Sequence, residues 1–308
     1  MPDDKKEMVR TLAALRSAPD EQAAYAANLL VVKNGLQVVQ AALSVLAKNP
    51  YPPARASLRD LYWHYAEHNG TRDPAAYTRA GILKALQPIM GMDDTELVVD
   101  AVTTYEFLPP SFQEEAGLLR GTAIVLLAEL DRRLASFFAT RLLADGYTES
   151  MSGEPALTAA RVLAACGELL PLYFYATQQQ GAGHPEVTAE CLRNLGDAPE
   201  VVIDELVAQF TDSEDRAALV GLFDLLVMGQ DEPRHAGFLD GFLRRTKDID
   251  LYNYLVTIMV TSPNEGVQNV LAGAVKNERS PEKIAVLRDA LAIAPPGSQI
   301  TSRLSNFV

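Results

Sequence analysis

The chain has 308 residues, 48% hydrophobic and 22% charged, which excludes a disordered polymer and allows one elongated domain or two compact ones. Two cysteines cannot build a disulfide framework, the start Met1-Pro2-Asp3-Asp4-Lys5-Lys6 holds no apolar signal region, and no apolar run reaches the roughly 18–20 residues of a membrane span, so a cytoplasmic protein is expected. A net charge of −13 argues against nucleic acid as the main partner, because that binding rests on Lys and Arg neutralising phosphates.

Taken in chain order, almost every segment repeats its apolar residues at spacings of three and four, and no alternating strand is followed by a hairpin turn, so the fold class is all-α. Helices are predicted near 4–16, 20–33, 35–48, 54–69, 75–91, 94–106, 111–129, 131–145 and 154–166. Further helices are predicted near 169–180, 185–195, 199–211, 214–228, 234–246, 249–261, 263–277 and 281–293. Breaks fall at Asn49-Pro50-Tyr51-Pro52-Pro53, Asn69-Gly70, Leu108-Pro109-Pro110, Ser152-Gly153-Glu154-Pro155, Gly181-Ala182-Gly183-His184-Pro185, Ser262-Pro263 and Ser280-Pro281. Many place Pro just inside a helix start, with a capping residue such as Ser152, Ser262 or Ser280 close before it. The longest interior break runs from Gly146 to Glu154; a functional overhang and a length variation without consequence both remain open for it.

Two internal similarities set the arrangement. Pro155-Ala156-Leu157-Thr158-Ala159 recurs as Pro185-Glu186-Val187-Thr188-Ala189, and Thr78-Arg79-Ala80-Gly81-Ile82 parallels Leu119-Arg120-Gly121-Thr122-Ala123. First helices of successive pairs would then start near 75, 111, 154, 185, 214, 249 and 281, a period of about 29–43 residues that is the mark of a stacked α-solenoid.

Asp73-Pro74-Ala75-Ala76-Tyr77-Thr78-Arg79-Ala80-Gly81-Ile82-Leu83-Lys84-Ala85-Leu86 resembles the first helix of a HEAT repeat, with its Asp-Pro entry, mid-helix Arg and small-residue ridge ending in Ala-Leu. His184 to Leu195 is similar but carries Thr188 where the Arg would be. The resemblance spans residues 20–293 and implies a right-handed α-solenoid of about seven degenerate HEAT-like hairpins. It divides the chain into an N-terminal helical cap over 1–48, a repeat array over 49–294 and a C-terminal tail over 295–308, the tail either mobile or folded back through Leu304 and Phe307. HEAT-like arrays include scaffolds, transport receptors, lyases and DNA glycosylases, so the resemblance does not choose a chemistry.

Catalytic patterns are sparse. His64-Tyr65-Ala66-Glu67-His68 matches H-x-x-E-H, but a catalytic zinc needs a third protein ligand, and histidine is also favourable in the last turn of a helix capped by Asn69-Gly70. None of the four histidines is followed by Glu, which removes the His-Glu iron site of HEAT-like hydroxylases. Cys166 and Cys191 read as small buried side chains on consecutive first helices. No Gly-rich phosphate loop, nucleophile elbow or paired C-x-x-C is present, so no metal and no cofactor is expected.

What remains is surface. Second helices line the inner side of a solenoid, which points to Tyr105, Phe137, Phe138, Tyr173, Phe174 and Tyr175 as partner-binding residues, with Trp63 at the rim. In Leu169–Tyr175 the apolar residues run right round the helix, so that segment is either wholly buried or partly an exposed patch. Between Asp197 and Asp240 eleven acidic residues face only Arg216 and Arg234, a run that attracts a basic partner or merely solvates outer helix faces. The expected function is a non-catalytic scaffold or adaptor, a monomer or weak dimer, binding another protein with a basic surface. The alternative is a HEAT-like enzyme of the DNA glycosylase or lyase type.

Overall fold

The computed structural model describes residues 2–67, 71–110, 112–178, 184–228, 235–295 and 298–304. The chain divides into two compact units, Met1–Cys166 and Gly167–Val308. The all-α expectation holds, and among the described residues no helix is long and apolar enough to cross a membrane.

The first unit contains α1 Pro2–Ala14, α2 Pro19–Asn28, α3 Leu36–Leu46, α4 Arg55–Ala66, α5 Tyr77–Leu86, α6 Thr95–Thr103, α7 Gly117–Leu130, α8 Arg132–Leu143 and α9 Ala156–Cys166. Odd-numbered helices pack in succession, α1 on α3, α3 on α5, α5 on α7 and α7 on α9. Helix α4 lies against α5 and α6, and α8 against α7 and α9. The second unit contains α10 Leu169–Gln178, α11 Pro185–Arg193, α12 Glu200–Phe210, α13 Arg216–Val227, α14 Ala236–Arg245, α15 Ile249–Thr261, α16 Glu265–Val275, α17 Pro281–Ala292 and α18 Ile300–Arg303. There α11, α13, α15 and α17 pack in succession, as do α14, α16 and α18.

The helix starts follow local chemistry. Pro19, Pro185 and Pro281 occupy first-turn positions, where the missing N–H costs nothing. Asp131, Asp215, Asp248, Asn264 and Ser280 each accept hydrogen bonds from free first-turn amides. Of the three serines expected as caps, only Ser280 fills the role. Ser262 instead receives the Asn264 amide at 3.2 Å and Asn264 caps α16, while the Ser152 hydroxyl receives the Glu154 amide.

Two regions differ from the sequence expectation. Helix α6 ends at Thr103, and α7 starts at Gly117 rather than at 111. Between them, β1 (Phe107–Leu108) pairs antiparallel with β2 (Gln113–Glu114), a short ladder the sequence pattern did not announce. Pro109 and Pro110 lack amide donors and cannot join a helix interior, so the chain turns there. The second difference precedes α5, where Ala75 and Ala76 adopt left-handed φ of 58° and 53°, each costing about 1–2 kcal/mol. Asp73 holds this turn, because its carboxylate accepts the amides of Thr78 at 2.7 Å and Arg79 at 3.0 Å.

Aliphatic and aromatic side chains fill both cores, including Leu58, Tyr62, Ile82, Leu83, Leu97 and Leu119 in the first unit and Phe223 and Tyr252 in the second. Helices α11 and α13 touch backbone to backbone: a Cβ on Gly221 would sit 2.4 Å from the Ala189 carbonyl oxygen. Of the tail, residues 296–297 and 305–308, Phe307 among them, lie outside the described residues. Ile300 and Leu304 are buried and α18 packs on α16, so the described part folds back.

Candidate functional site

In the first unit the helices converge on two buried arginines. Arg79, in the first turn of α5 rather than in the middle of a helix, is 2% exposed, pairs with Asp73 Oδ2 at 3.2 Å and donates to Glu106 Oε1. Arg120, at the corresponding place in α7, is fully buried. It pairs with Glu114 at 2.6 Å, approaches Asp145 at 3.5 Å and donates to the Thr104 carbonyl at 3.1 Å. Desolvating a guanidinium costs several kcal/mol unless partners meet it, and here the partners are the segment between α6 and β1, strand β2 and the residues after α8. Glu106, just before β1, and Glu114, on β2, thus supply carboxylates to α5 and α7.

Beside Arg79 lies a cavity of about 420 Å³ lined by Ala66, Asp100, Thr104, Tyr105, Glu106, Phe107 and Leu108. Tyr62 donates its hydroxyl to Asp100 Oδ2 at 2.6 Å, and burial, reinforced by that bond, raises the phenol. Burial also raises the Glu106 carboxyl, against the opposing pull of Arg79. Glu106 Oε2 is buried with no hydrogen-bond partner. The cavity presents acceptors, a guanidinium and aromatic edges, a set suited to holding a polar group. Among the described residues no cluster of His, Cys, Asp and Glu is placed to hold a metal ion.

The seven residues expected to bind a partner do not form one surface. Tyr105 is not on a helix: it sits in the extended segment after α6, under the Arg120 guanidinium. Arg141 lies 6.0 Å from the Tyr105 ring and 5.4 Å from the Phe138 ring, which joins these two. Trp63, half-buried on α4, packs edge-on against Tyr62 with centroids 5.4 Å apart. Phe137 points outward, 68% exposed. In the second unit Tyr173, Phe174 and Tyr175 diverge, since successive helical residues lie about 100° apart. Tyr173 donates to Glu205 at 2.9 Å, Phe174 is 62% exposed and Tyr175 is buried. The Leu169–Tyr175 segment therefore has two sides, with Leu172 and Tyr175 inside and Leu170 and Phe174 outside.

Sequence reasoning missed Tyr147 and Phe107, whose ring centroids are 5.2 Å apart, and the edge contact of Tyr147 with Tyr105 at 5.8 Å. Through Tyr147 the 146–154 segment is tied to this cluster. The available signal was the recurring Arg79 and Arg120, charged residues amid apolar ones at helical spacing, which mark buried ion pairs. The acidic run 197–240 is not uniformly surface. Asp224 is buried between Arg193 at 3.2 Å and the Tyr254 hydroxyl at 2.5 Å, and Asp204 approaches His235 at 3.0 Å. Asp197, Glu200, Asp212 and Glu214 are exposed, while Asp231, Glu232 and Arg234 lie outside the described residues. His68 and the Asn69-Gly70 cap also lie outside them, and His64 sits 3.0 Å from an Arg72 nitrogen. Both cysteines are free, and burial raises the Cys191 thiol.

No family model, curated protein or solved structure matches this chain. Fold and site together define an all-helical protein with buried arginine–carboxylate networks and bare aromatic side chains on its even-numbered helices.

Proposed function

We propose that the protein is a non-catalytic scaffold or adaptor that binds another protein through the second helices of a HEAT-like, right-handed α-solenoid. The solenoid reading is supported inside each unit by first helices that start at residues 77, 117 and 156, or 185, 216, 249 and 281, and pack one on the next. The observation carrying the function is that each unit by itself leaves large apolar side chains bare on its second helices, Phe137 on α8 in the first, and Leu170 and Phe174 on α10 and Val201 on α12 in the second, each more than 60% exposed. Such side chains gain by leaving water, and aromatic anchors dominate protein interfaces. The exposed carboxylates of α12 and the turn after it, Glu200, Asp212 and Glu214, favour a partner with a basic surface. The free cysteines suit a reducing compartment, and we assign the protein to the cytoplasm.

Immobilised full-length protein is expected to retain a defined species from lysate, and F137S/F174S to lose it by roughly 30-fold or more, the effect of removing one or two anchors. Retention unchanged in that variant removes the reading. The cavity beside Glu106 favours the second reading, an enzyme acting on a small extruded group. Incubation with alkylated DNA at low salt, with neither excision nor retention, removes its glycosylase form.

A further inference from the structure

The odd-numbered helices α3, α5, α7 and α9 of unit one carry a second surface of opposite character. Three cavities follow one another along it, of about 590, 300 and 630 Å³. They are contiguous, because Lys84 borders the first two, and Val125 and Thr158 border the last two. The result is one trough crossing α3, α5, α7 and α9.

Its floor is apolar and shallow. Leu43, Leu118, Val125 and Val162 lie along it, and Gly81 and Gly121 keep side-chain bulk off two of the helices. Leu118 and Val125 are 43% and 37% exposed, on a face that the described residues leave open. Leu118, Thr122 and Val125 stand at i, i+4 and i+7 along α7, so the part of the floor that α7 supplies extends about 10 Å along that helix. A ridge of that spacing is met by the matching stripe of another helix laid alongside it.

The rim has the sign opposite to that of the whole chain. Lys48, Lys84, Arg132 and Arg161 border the trough against Glu129 and Glu154 alone, in a protein with 27 basic and 40 acidic residues. Glu129 accepts the Gln87 side-chain amide at 2.6 Å and Glu154 the Thr158 backbone amide at 3.2 Å, so the four cations of the rim outnumber two carboxylates that are already held in place. Lys48 and Lys84 are exposed and make no ion pair among the described residues. Positive rim over apolar floor selects an acidic amphipathic partner, whereas the acidic and aromatic face of α10 and α12 in the second unit selects a basic one.

We propose that this trough docks an acidic amphipathic helix of a partner protein, its apolar stripe on Leu118 and Val125 and its carboxylates on Lys48 and Lys84. The site goes beyond the function proposed above and stands or falls without it.

The test uses the full chain and two fluorescein-labelled helical peptides of about 18 residues, five turns. Both carry leucine at i, i+4 and i+7; one has glutamate and the other lysine at the remaining charged positions. By fluorescence anisotropy the glutamate peptide is expected to bind, the lysine peptide at least about 10-fold more weakly. K48E/K84E is expected to weaken the glutamate peptide by about 10-fold, V125D to do the same, and F137S/F174S to leave it unchanged, with far-UV circular dichroism confirming each fold. Equal binding of the two peptides, no binding at about 100 μM, insensitivity to K48E/K84E, or loss in F137S/F174S overturns the proposal. Dimerisation that competes with the peptide and vanishes in K48E/K84E assigns the trough to a second copy of the chain and overturns it as well.

Discussion

The Arg120 guanidinium lies over the Tyr105 ring, 4.1 Å from its centroid, and the same tyrosine donates its hydroxyl to Asp145 Oδ2 at 2.9 Å. One side chain thus neutralises part of a buried cation through its ring face and ties down, through its oxygen, a carboxylate that faces that cation. The segment after α6 is fastened in this way to the turn after α8.

Unequal costs follow for the two residues. Arg120→Met leaves Glu114 and Asp145 buried without their counter-charge and is expected to lose about 3–5 kcal/mol of unfolding free energy. Tyr105→Phe keeps the ring over the guanidinium and forfeits one hydrogen bond, a loss of about 1 kcal/mol. Urea unfolding measures both, and an Arg120→Met loss no larger than that of Tyr105→Phe contradicts the network's role.

Burial raises the carboxyls of Glu106 and Asp224, against Arg79 in the first case and against Tyr254 and Arg193 in the second. A carboxyl that holds its proton more tightly folded than unfolded adds stability below its unfolded pKa, and that contribution is lost as pH rises through the folded value. Asp240, held low by Arg244, acts in the opposite direction, losing its contribution as pH falls. Glu106→Gln removes one rising-pH loss and leaves Asp240 alone. Wild type is therefore expected to lose stability relative to this variant as pH rises from about 4, the ordinary carboxyl range, through the raised folded value. Parallel stability curves from denaturant titrations across that range would show that Glu106 contributes no linkage.

Two helical glycines predict opposite outcomes. Gly221→Ala drives a methyl to 2.4 Å from the Ala189 carbonyl oxygen, forcing α11 and α13 apart at an expected cost of about 1–3 kcal/mol. Gly81→Ala meets only the Leu43 side chain at 3.4 Å, and alanine's helix preference favours it by about 0.5–1 kcal/mol. Thermal unfolding of the two variants is expected to move in opposite directions.

Adjacent aromatics on α10 separate surface from core. Phe174→Ser is expected to change stability by no more than about 0.5 kcal/mol, because the ring is already in water. Tyr175→Ala empties a buried position and is expected to cost about 3–5 kcal/mol. Capture of the partner is expected to fail in the Phe174→Ser protein at full stability.

The helices were legible because their signals are local. Apolar spacing within two turns and Pro, Asp or Asn at the boundaries locate α11, α15 and α17 to within a residue or two of their observed ends. The start of α7 and the place of Tyr105 were not legible. There the chain leaves the helical pattern to bring Glu106 to Arg79, 27 positions away, and Tyr105 to Asp145, 40 positions away. No window the length of one helix contains both partners.

By itself the sequence determined an all-α chain, the register of its helices and the recurrence of a lone arginine amid apolar residues at 79 and 120, since each is encoded in side-chain periodicity along one helix. Only the tertiary structure decided that Phe137 and Phe174 are bare while Tyr175 is buried, that Asp224 lies buried within the acidic run rather than on its surface, and that a lysine-rimmed trough crosses α3, α5, α7 and α9. Exposure and ion pairing depend on which neighbouring helix covers a given face. That choice is made by packing between segments distant along the chain.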